Sequence, residues 1–428
     1  MTNVCVMGLW HLGSVTSACL ANLGYNVIGI DKDNTVVENL QKGKAPIFEP
    51  GLDDLIKKNI DNKKLQFITD TKTAISSADF VLLTIDTPVD DNDRVDLSSV
   101  YDAINEISTH LSNRTIIIVQ SQVPVGTCSE FIKIITKKRP DLVFGLAYCP
   151  ENLRLGKAIE LFEKPDRIII GADDNETANR VSKFFNIVDC PKITMDLKSS
   201  EMTKHSINAF LATCISFINW IGMISEEVGA DPKMVSEGLR SESRIDRVLP
   251  LRPGLGFAGG TLGRDLRILE QLSNKLEIKP NLTEDILKIN YEQNILVVKK
   301  LLKLFNTLEG VKICIFGLTY KAGTNTLRRS NSIEIINELI KVNAEVNAYD
   351  PVIPSVDTIT SKKFHLYNSP YSAAEETSAL LIFTDWPEFK ELDYKKIYAK
   401  MKKPMVIDMK NFLDEDILKN LGFTYNRL

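Results

Sequence analysis

The sequence predicts an α/β protein with two Rossmann-like domains joined by a central helical region that contains a long helix. Short β-rich runs alternate with amphipathic stretches at both ends of the chain, and this alternation indicates βαβ units around parallel sheets. Between the two ends, from about Met195, the pattern changes to long helical segments. A chain of 428 residues is also too long for one ordinary hydrophobic core.

The strands of the first part are short apolar runs separated by helix-like stretches. They are predicted at Val4–Met7, Val27–Ile30, Leu65–Ile68, Phe80–Thr84, Thr115–Val119, Leu142–Ala147 and Arg167–Ile170. Central helices are predicted from Ser199 to Gly229, from Asp231-Pro232 onward, and over Asp285–Phe305. After Leu308-Glu309-Gly310 the alternation returns, with a helix over Ser332–Lys341 and strands at Lys312–Phe316, Glu345–Tyr349, Ala379–Phe383 and Met405–Ile407. We therefore divide the chain into residues 1–195, 196–305 and 306–428.

The composition is that of a soluble globular protein. Hydrophobic residues make up 44% of the chain and charged residues 25%. The net charge of −4 gives no reason to expect nucleic acid or an anionic membrane as a partner. No apolar run approaches the roughly 18–20 residues of a membrane span. The N-terminus enters the strand-like run Asn3–Met7 without a basic region or a cleavage site, so we expect a cytoplasmic protein without a signal peptide.

The seven cysteines are odd in number and scattered along the chain, and no pair has the spacing of metal ligands. The four histidines are far apart as well. We expect reduced thiols in the core, Cys149 and Cys214 among them, and neither a disulfide framework nor a metal site.

A glycine-rich loop, Gly8-Leu9-Trp10-His11-Leu12-Gly13, lies between the first predicted strand and a predicted helix. In that context the loop predicts a dinucleotide site, with the diphosphate at the amino end of the helix. Asp31 ends the next strand 31 − 8 = 23 positions after Gly8, near the ~20 expected of the acid that binds the ribose hydroxyls. A carboxylate there favours NAD over NADP. Trp10 stands where the fingerprint has the middle glycine that lets the backbone approach the phosphates.

A second glycine-rich segment, residues 254–265, reads Gly-Leu-Gly-Phe-Ala-Gly-Gly-Thr-Leu-Gly-Arg-Asp. It resembles the active-site loop of the UDP-glucose/GDP-mannose dehydrogenase family. Other stretches resemble motifs of that family in the same order along almost the whole chain: Pro46–Leu52, Thr87-Pro88, Val123–Thr127, Pro150–Leu153, Ser200–Asn208, Phe316–Lys321, Tyr349–Pro351 and Thr384–Trp386. On these motifs the chain is identified as a member of the family.

The resemblance implies NAD-dependent oxidation of a nucleotide sugar, with UDP as the default nucleotide and a homodimer as the assembly. It implies that residues 1–195 bind NAD, that residues 196–305 carry the dimerisation and active-site region, and that residues 306–428 bind the nucleotide sugar.

The resemblance also implies a role for individual residues. Lys204 would stabilise the oxyanion, and Asn208, four residues further along one helical face, would align it. Asp265 and Glu151 would relay protons through water. The substrate contacts implied are Glu151, Leu153, Lys204, Asn208, Arg244, Phe257, Gly260 and Lys321. The cofactor contacts implied are Gly8, Leu12, Gly13, Asp31, Thr87, Gln122 and Arg328.

Thr261 occupies the position of the family's catalytic cysteine, which is the covalent nucleophile of the second oxidation. A threonine hydroxyl has no anion comparable to a thiolate near neutrality, so a covalent step through Thr261 is not expected. Gln122, Trp220 and Arg264 also depart from the family pattern. These changes favour a reaction centre that was rebuilt around the loss of the cysteine.

Three functions stay open from the sequence. The first is a nucleotide-sugar dehydrogenase that stops at the aldehyde, or that oxidises a hydrated aldehyde without a covalent intermediate. The second is an epimerase-like enzyme that retains its NAD. The third is a non-catalytic protein that binds nucleotide sugars.

Overall fold

The structure is a computed structural model, and it describes residues 2–90, 95–151, 153–327, 329–353 and 364–427. The chain forms two compact units, Met1–Ser206 and Ile207–Leu428. Each unit is built on one β-sheet, and two hydrophobic clusters form on each sheet. This is the α/β architecture that the sequence predicts.

The first unit contains an eight-stranded sheet and the helices that cover it. Its strands are β1 Asn3–Met7, β2 Asn26–Ile30, β3 Leu65–Ile68, β4 Phe80–Leu83, β5 Ile116–Val119, β6 Gly145–Tyr148, β7 Ile168–Ala172 and β8 Lys192–Met195. Its helices are α1 His11–Asn22, α2 Asn34–Gln41, α3 Leu52–Asp61, α4 Thr71–Ser76, α5 Ser98–His110, α6 Thr127–Lys138, α7 Ala158–Glu163 and α8 Asn175–Phe184. All seven predicted strands are present, and β8 was not predicted.

The strand order of this sheet is β3-β2-β1-β4-β5-β6-β7-β8. Neighbouring strands are parallel except β6 and β7, which pair antiparallel at the Ala147–Ala172 and Tyr148–Gly171 positions. The prediction of a parallel sheet is therefore wrong for this one pair. Alternate residues of β1 enter different clusters, with Val4 and Val6 on one face and Cys5 and Met7 on the other.

Helix α9, Leu197–Glu227, begins in the first unit and continues into the second. The remaining helices are α10 Pro232–Arg240, α11 Leu262–Lys275, α12 Asn281–Phe305, α13 Asn331–Lys341, α14 Pro370–Ala373, α15 Tyr394–Lys400 and α16 Glu415–Asn420. The strands are β9 Lys312–Phe316, β10 Glu345–Tyr349, β11 His365–Leu366, β12 Ala379–Ile382, β13 Met405–Asp408 and β14 Thr424–Arg427. They form a parallel sheet in the order β11-β10-β9-β12-β13-β14.

Local chemistry explains where several helices begin. The carboxylates of Asp33, Asp70 and Asp174 accept hydrogen bonds from first-turn N–H groups of α2, α4 and α8. Asp231 caps α10 in the same way, and Pro232 occupies the first turn, as the sequence predicts.

Among the described residues, α9 is long and apolar enough to cross a membrane by length and composition alone, contrary to the expectation that no segment is. Its side chains favour a different interpretation. Glu201, Lys204 and His205 are buried and bonded to the first unit, and Asn208 is buried and bonded within the second. Paired, buried polar groups of this kind indicate that residues 201–208 of α9 lie in a protein core and not in a membrane span.

Candidate active site

The glycine-rich loop has the geometry that a dinucleotide site requires. Gly8 follows β1 with a φ of +96°, and a Cβ atom there would lie 2.8 Å from the Ile85 Cα atom. A Cβ atom at Gly13 would lie 1.8 Å from the Gly8 carbonyl oxygen, so only glycine lets α1 approach the loop this closely. Helix α1 begins at His11, and its first-turn N–H groups are donors suited to a diphosphate. The loop therefore fits NAD.

Asp31 lies directly after β2, and its carboxylate accepts a hydrogen bond from the glycine-rich loop. Its Oδ2 atom accepts from the Leu9 N–H at 2.7 Å, and its Oδ1 atom accepts from the Asp33 N–H at 3.0 Å. A carboxylate oxygen accepts more than one hydrogen bond, so capacity remains for two ribose hydroxyls. The geometry fits the ribose contact that the sequence predicts.

Two further predicted cofactor contacts lie in the loops that follow β4 and β5. The Thr87 hydroxyl donates to the Gln122 carbonyl oxygen at 3.0 Å, and both residues are buried. This bond joins the two loops beyond the carboxyl ends of their strands, which is where α/β proteins bind ligands. Leu12 is half-buried in the first turn of α1. Arg328, the last predicted cofactor contact, lies outside the described residues.

A buried carboxylate fixes the first turn of α1. Glu49 accepts from the N–H groups of Gly156 and Ala158, both at 2.8 Å, and its Oε2 atom lies 2.9 Å from His11 Nε2. Glu49 thereby connects the start of α1 to residues 156–158. The sequence analysis assigned no role to this residue, although it lies in one of the motifs that support the resemblance.

Lys204 and Glu151 form a hydrogen-bonded pair in the first unit. Lys204 is buried, its Nζ donates to the Glu151 carbonyl oxygen, and its Nζ lies 3.5 Å from Glu151 Oε1. Glu151 Oε2 accepts from the Leu153 N–H at 2.5 Å. The ammonium group is a threefold donor, so it can add a bond to a substrate oxygen. The structure thus brings together two predicted catalytic residues that are 53 positions apart.

Glu201 connects this part of α9 to the start of α6 through hydrogen bonds. Its carboxylate accepts from the N–H groups of Gly126, at 2.5 Å, and Cys128, at 2.8 Å, at the start of α6. Burial raises the pKa of Glu201, and the two backbone donors act in the opposite direction. The bonds anchor α9 one turn before Lys204, since Glu201 and Lys204 lie three residues apart.

Asn208 and Asp265 form the corresponding pair in the second unit. The Asn208 Nδ2 group donates to Asp265 Oδ2, and both side chains are buried. Asp265 lies in the first turn of α11, where the helix dipole favours a negative charge. The pair holds a carboxylate that can accept a proton or bind a water molecule.

Thr261 immediately precedes α11, and its side chain is exposed. Its hydroxyl makes no capping hydrogen bond to the helix. A cysteine at the amino end of a helix has a lowered thiol pKa because the dipole stabilises the thiolate. A thiol at this position would be activated, and this chain has a threonine hydroxyl there.

Three family models match consecutive parts of the chain. They describe the NAD binding domain (residues 2–189), the central domain (198–292) and the UDP binding domain (314–415) of the UDP-glucose/GDP-mannose dehydrogenase family. The UDP-glucose 6-dehydrogenase TuaD of Bacillus subtilis is 35% identical over 430 residues, which cover 100% of this chain and 93% of that protein. The chain belongs to the UDP-glucose/GDP-mannose dehydrogenase family. It is accordingly an NAD-dependent oxidoreductase of nucleotide sugars.

Other relatives and solved structures lead to the same family. The UDP-glucose 6-dehydrogenase of Rhizobium meliloti is 34% identical over 429 residues, covering 99% of this chain and 98% of that protein. A UDP-glucose dehydrogenase from Pyrobaculum islandicum has a TM-score of 0.90 at 27% identity, covering 100% of this chain and 97% of that one. A UDP-N-acetyl-mannosamine dehydrogenase from Staphylococcus aureus has a TM-score of 0.83 at 25% identity, covering 100% and 98%.

Side-chain amides, buried or half-buried, bind the backbone of residues 254–257. Asn219 accepts from the Gly254 N–H at 2.9 Å and donates to the Leu255 carbonyl oxygen at 3.2 Å. Asn290 accepts from the Phe257 N–H at 2.6 Å and donates to the Phe257 carbonyl oxygen at 3.1 Å. Two further amide groups donate to the same backbone, Gln293 to Gly254 O at 2.6 Å and Asn331 to Gly256 O at 2.7 Å.

These amide contacts were not predicted from the sequence. The sequence feature that indicates them is the presence of amide side chains at buried positions of α12, where Gln293 and Asn294 lie beside Val297 and Val298. Gly256 is required by the same arrangement, because a Cβ atom there would lie 2.4 Å from Asn290 Oδ1. We refer to Asn219, Asn290, Gln293 and Asn331 as the amide clamp.

Four more residues that the sequence predicts to contact the substrate, Phe257, Gly260, Lys321 and Arg244, lie in the second unit. Phe257 packs its ring against the cluster of Ala212, Leu266 and Ile286, and Gly260 follows it in the loop. Lys321 is half-buried, with its Nζ atom 5.6 Å from the Tyr320 ring centroid. The Arg244 side chain is 85% exposed and pairs with Glu242 at 3.1 Å, so it extends away from the rest of its unit.

Neither Cys149 nor Cys214 has the properties of a nucleophilic cysteine. Cys149 and Cys214 are buried, as predicted, and burial raises the pKa of both thiols. A protonated thiol in an apolar cluster is not reactive.

Trp220 does not lie beside the Asn208–Asp265 pair. It follows Asn208 by 12 residues on α9, which separates the two by roughly 18 Å along the helix axis. Its indole is exposed. The assignment of Trp220 to a rebuilt reaction centre stays a prediction.

Proposed function

We propose that this dehydrogenase oxidises the C6 hydroxyl of a UDP-sugar of the UDP-glucose type without forming a covalent enzyme intermediate. Its product would then be the aldehyde, or an acid made from the hydrated aldehyde. The relatives named UDP-glucose 6-dehydrogenases and the match to the UDP binding domain support the substrate class. We also propose the domain division predicted from the sequence, with NAD bound by residues 1–195, the dimerisation and active-site region in 196–305, and the nucleotide sugar bound by 306–428.

The first oxidation takes a hydride from C6 and a proton from its hydroxyl. NAD, when bound by the first unit, would supply the hydride acceptor. Lys204 is the group we assign to the developing alkoxide, because its buried ammonium is held in place by the Glu151 carbonyl oxygen and carboxylate. The Glu151 carboxylate, beside that ammonium, is the acceptor we assign to the departing proton, through a water molecule.

Asn208 and Asp265 are assigned to the alignment of the sugar and to the second proton transfer. The Asn208 amide donates to Asp265, and its carbonyl oxygen remains an acceptor for a hydroxyl group. Oxidation of a hydrated aldehyde releases a hydride to a second NAD and a proton to a base. The Asp265 carboxylate supplies that base, either directly or through water.

Thr261 is the observation that carries the proposed lack of a covalent step. Its hydroxyl is exposed at the amino end of α11, where a thiol would become a thiolate. A hydroxyl needs a general base within hydrogen-bond reach to attack a carbonyl. Asp265, the carboxylate nearest to Thr261 along the chain, is assigned to the oxidation of the hydrated aldehyde and not to the Thr261 hydroxyl.

The test compares wild type with Thr261→Ala, Thr261→Ser and Thr261→Cys on UDP-glucose and NAD. The measurements are NADH formed per UDP-glucose consumed and the identity of the product by mass spectrometry. We expect Thr261→Ala and Thr261→Ser to match wild type, because no bond to the hydroxyl is made. Thr261→Cys should gain acid formation, with two NADH per UDP-glucose and sensitivity to a thiol-alkylating reagent. A loss of several orders of magnitude in Thr261→Ala but not in Thr261→Ser would show that Thr261 is a nucleophile and would overturn the proposal.

The same measurements separate the other two functions. An isomerised sugar without net NADH, from protein purified with bound NAD, would indicate an epimerase-like enzyme. Binding of UDP-sugars without any turnover would indicate a binding protein.

We further propose that the enzyme is a homodimer that packs through α9. Phe210, Phe217 and Ile224 are spaced by seven residues on this helix, and their side chains are 55%, 42% and 43% exposed. A seven-residue spacing puts apolar side chains on one face of a helix, and an exposed apolar stripe of this kind commonly marks an interface. Light scattering on wild type and on Phe217→Glu tests the proposal: wild type should have twice the mass of one chain and the variant should dissociate.

A further inference from the structure

Trp10 is the residue that separates this dinucleotide loop from the ordinary fingerprint. Its backbone has φ −71° and ψ −156°, a conformation open to any residue, so the turn does not need glycine at this position. Trp10 is the N-cap residue of α1, and its carbonyl oxygen accepts from the Ser14 N–H at 2.9 Å. The indole is nonetheless 48% exposed, so it contributes little to the core.

The residues on either side of Trp10 are fixed. Leu9 is fully buried, and its N–H donates to Asp31 at 2.7 Å. His11 lies 2.9 Å from the buried Glu49 carboxylate, which also holds residues 156–158. Because both neighbours are held, the Cα–Cβ bond of Trp10 has a set direction at the amino end of α1.

We infer that the indole of Trp10 covers the diphosphate of the bound dinucleotide and slows its release. The helix dipole and first-turn N–H groups attract the diphosphate to this end of α1. The middle position of the loop is the one at which the backbone comes nearest to the phosphates, so a side chain there shares their space. Indole presents a single donor, Nε1–H, and no acceptor, and a donor of this kind matches a phosphate oxygen.

An indole at this position has one of two opposite effects. If it covers the diphosphate, restoring glycine removes a hydrogen bond and admits water, so the cofactor leaves faster. If it obstructs the diphosphate, restoring glycine makes the cofactor bind more tightly. Glycine is well tolerated as an N-cap residue, so Trp10→Gly is expected to fold. Trp10→Phe keeps an aromatic ring of smaller area and removes the N–H donor.

The experiment measures NADH binding and release by stopped-flow fluorescence with the full-length protein and no substrate. The chain has three tryptophans, and energy transfer from indole to NADH reports their proximity. We expect NADH to quench the emission of wild type and of the control Trp220→Phe, and Trp10→Phe to lose most of this quenching. NADH release should be about tenfold faster in Trp10→Gly, equivalent to about 1.4 kcal/mol at 25 °C, and faster by a smaller factor in Trp10→Phe.

Slower release or tighter binding in Trp10→Gly would overturn the inference, as would full quenching in Trp10→Phe. Wild-type protein that binds no NADH would overturn it as well. The inference depends on NAD binding by the first unit and not on the fate of the aldehyde. Its outcome is therefore independent of the product measurements made on the Thr261 variants.

Discussion

The amide clamp predicts that the order of the active-site loop depends on Asn290. Asn290→Ala removes two hydrogen bonds to the Phe257 backbone, of 2.6 and 3.1 Å, and leaves a partly buried N–H and C=O without these partners. Each bond contributes about 1 kcal/mol, and an unsatisfied group adds a further desolvation cost. We therefore expect the loop to lose about 2 kcal/mol of local stability, or about thirtyfold in its opening equilibrium.

Amide hydrogen exchange measures this loss at neighbouring groups whose own acceptors are retained. The Gly254 N–H donates to Asn219 at 2.9 Å, and the Gly259 N–H donates to the Arg329 carbonyl oxygen at 3.0 Å. Both should exchange about thirtyfold faster in Asn290→Ala if the clamp opens as one unit. Glu292→Ala is the matched control, because that side chain lies on the same helix and is exposed.

Gly256 provides an independent check on the same geometry. A Cβ atom at this position would lie 2.4 Å from Asn290 Oδ1 and 3.0 Å from the Asn290 carbonyl oxygen. Gly256→Ala should therefore cost less in the Asn290→Ala background than in wild type, with a coupling of about 1 kcal/mol. Unchanged exchange at Gly254 and Gly259 in Asn290→Ala, together with additive effects in the double variant, would refute the clamp.

Two further predictions concern α9. Lys204→Met should lower kcat by roughly 10²–10³-fold with a smaller change in KM, because it removes the cation assigned to the developing alkoxide. Both constants are measured from NADH formation as a function of UDP-glucose concentration. An equal change in kcat and KM would count against that role. The raised pKa of Glu201 predicts that its contribution to stability is fully present below its unfolded pKa and is lost as pH rises through the folded value. Glu201→Gln should remove this dependence from denaturation curves recorded as a function of pH, and an unchanged pH dependence would contradict the assignment.

The sequence alone predicted most of the strands and the family, although β8, β11 and β14 were not predicted. The βαβ pattern predicted all seven of the first strands, and the spacing of Gly8, Gly13 and Asp31 predicted a loop whose turn and helix packing the structure contains. Local propensity and short-range steric rules decide these features, so they can be derived from neighbouring residues. The motif around Thr261, together with the others, likewise predicted the family, which the family models confirm.

Only the tertiary structure decided which polar groups meet. Asp265 is paired with Asn208 across 57 positions, and the amide clamp joins residues 33 to 75 positions apart. Such pairs form when separate helices pack against one loop, and a single sequence has no periodicity that encodes them. The antiparallel β6–β7 pair was mispredicted for the same reason, because it depends on where the strands lie in space, which short-range patterns leave open.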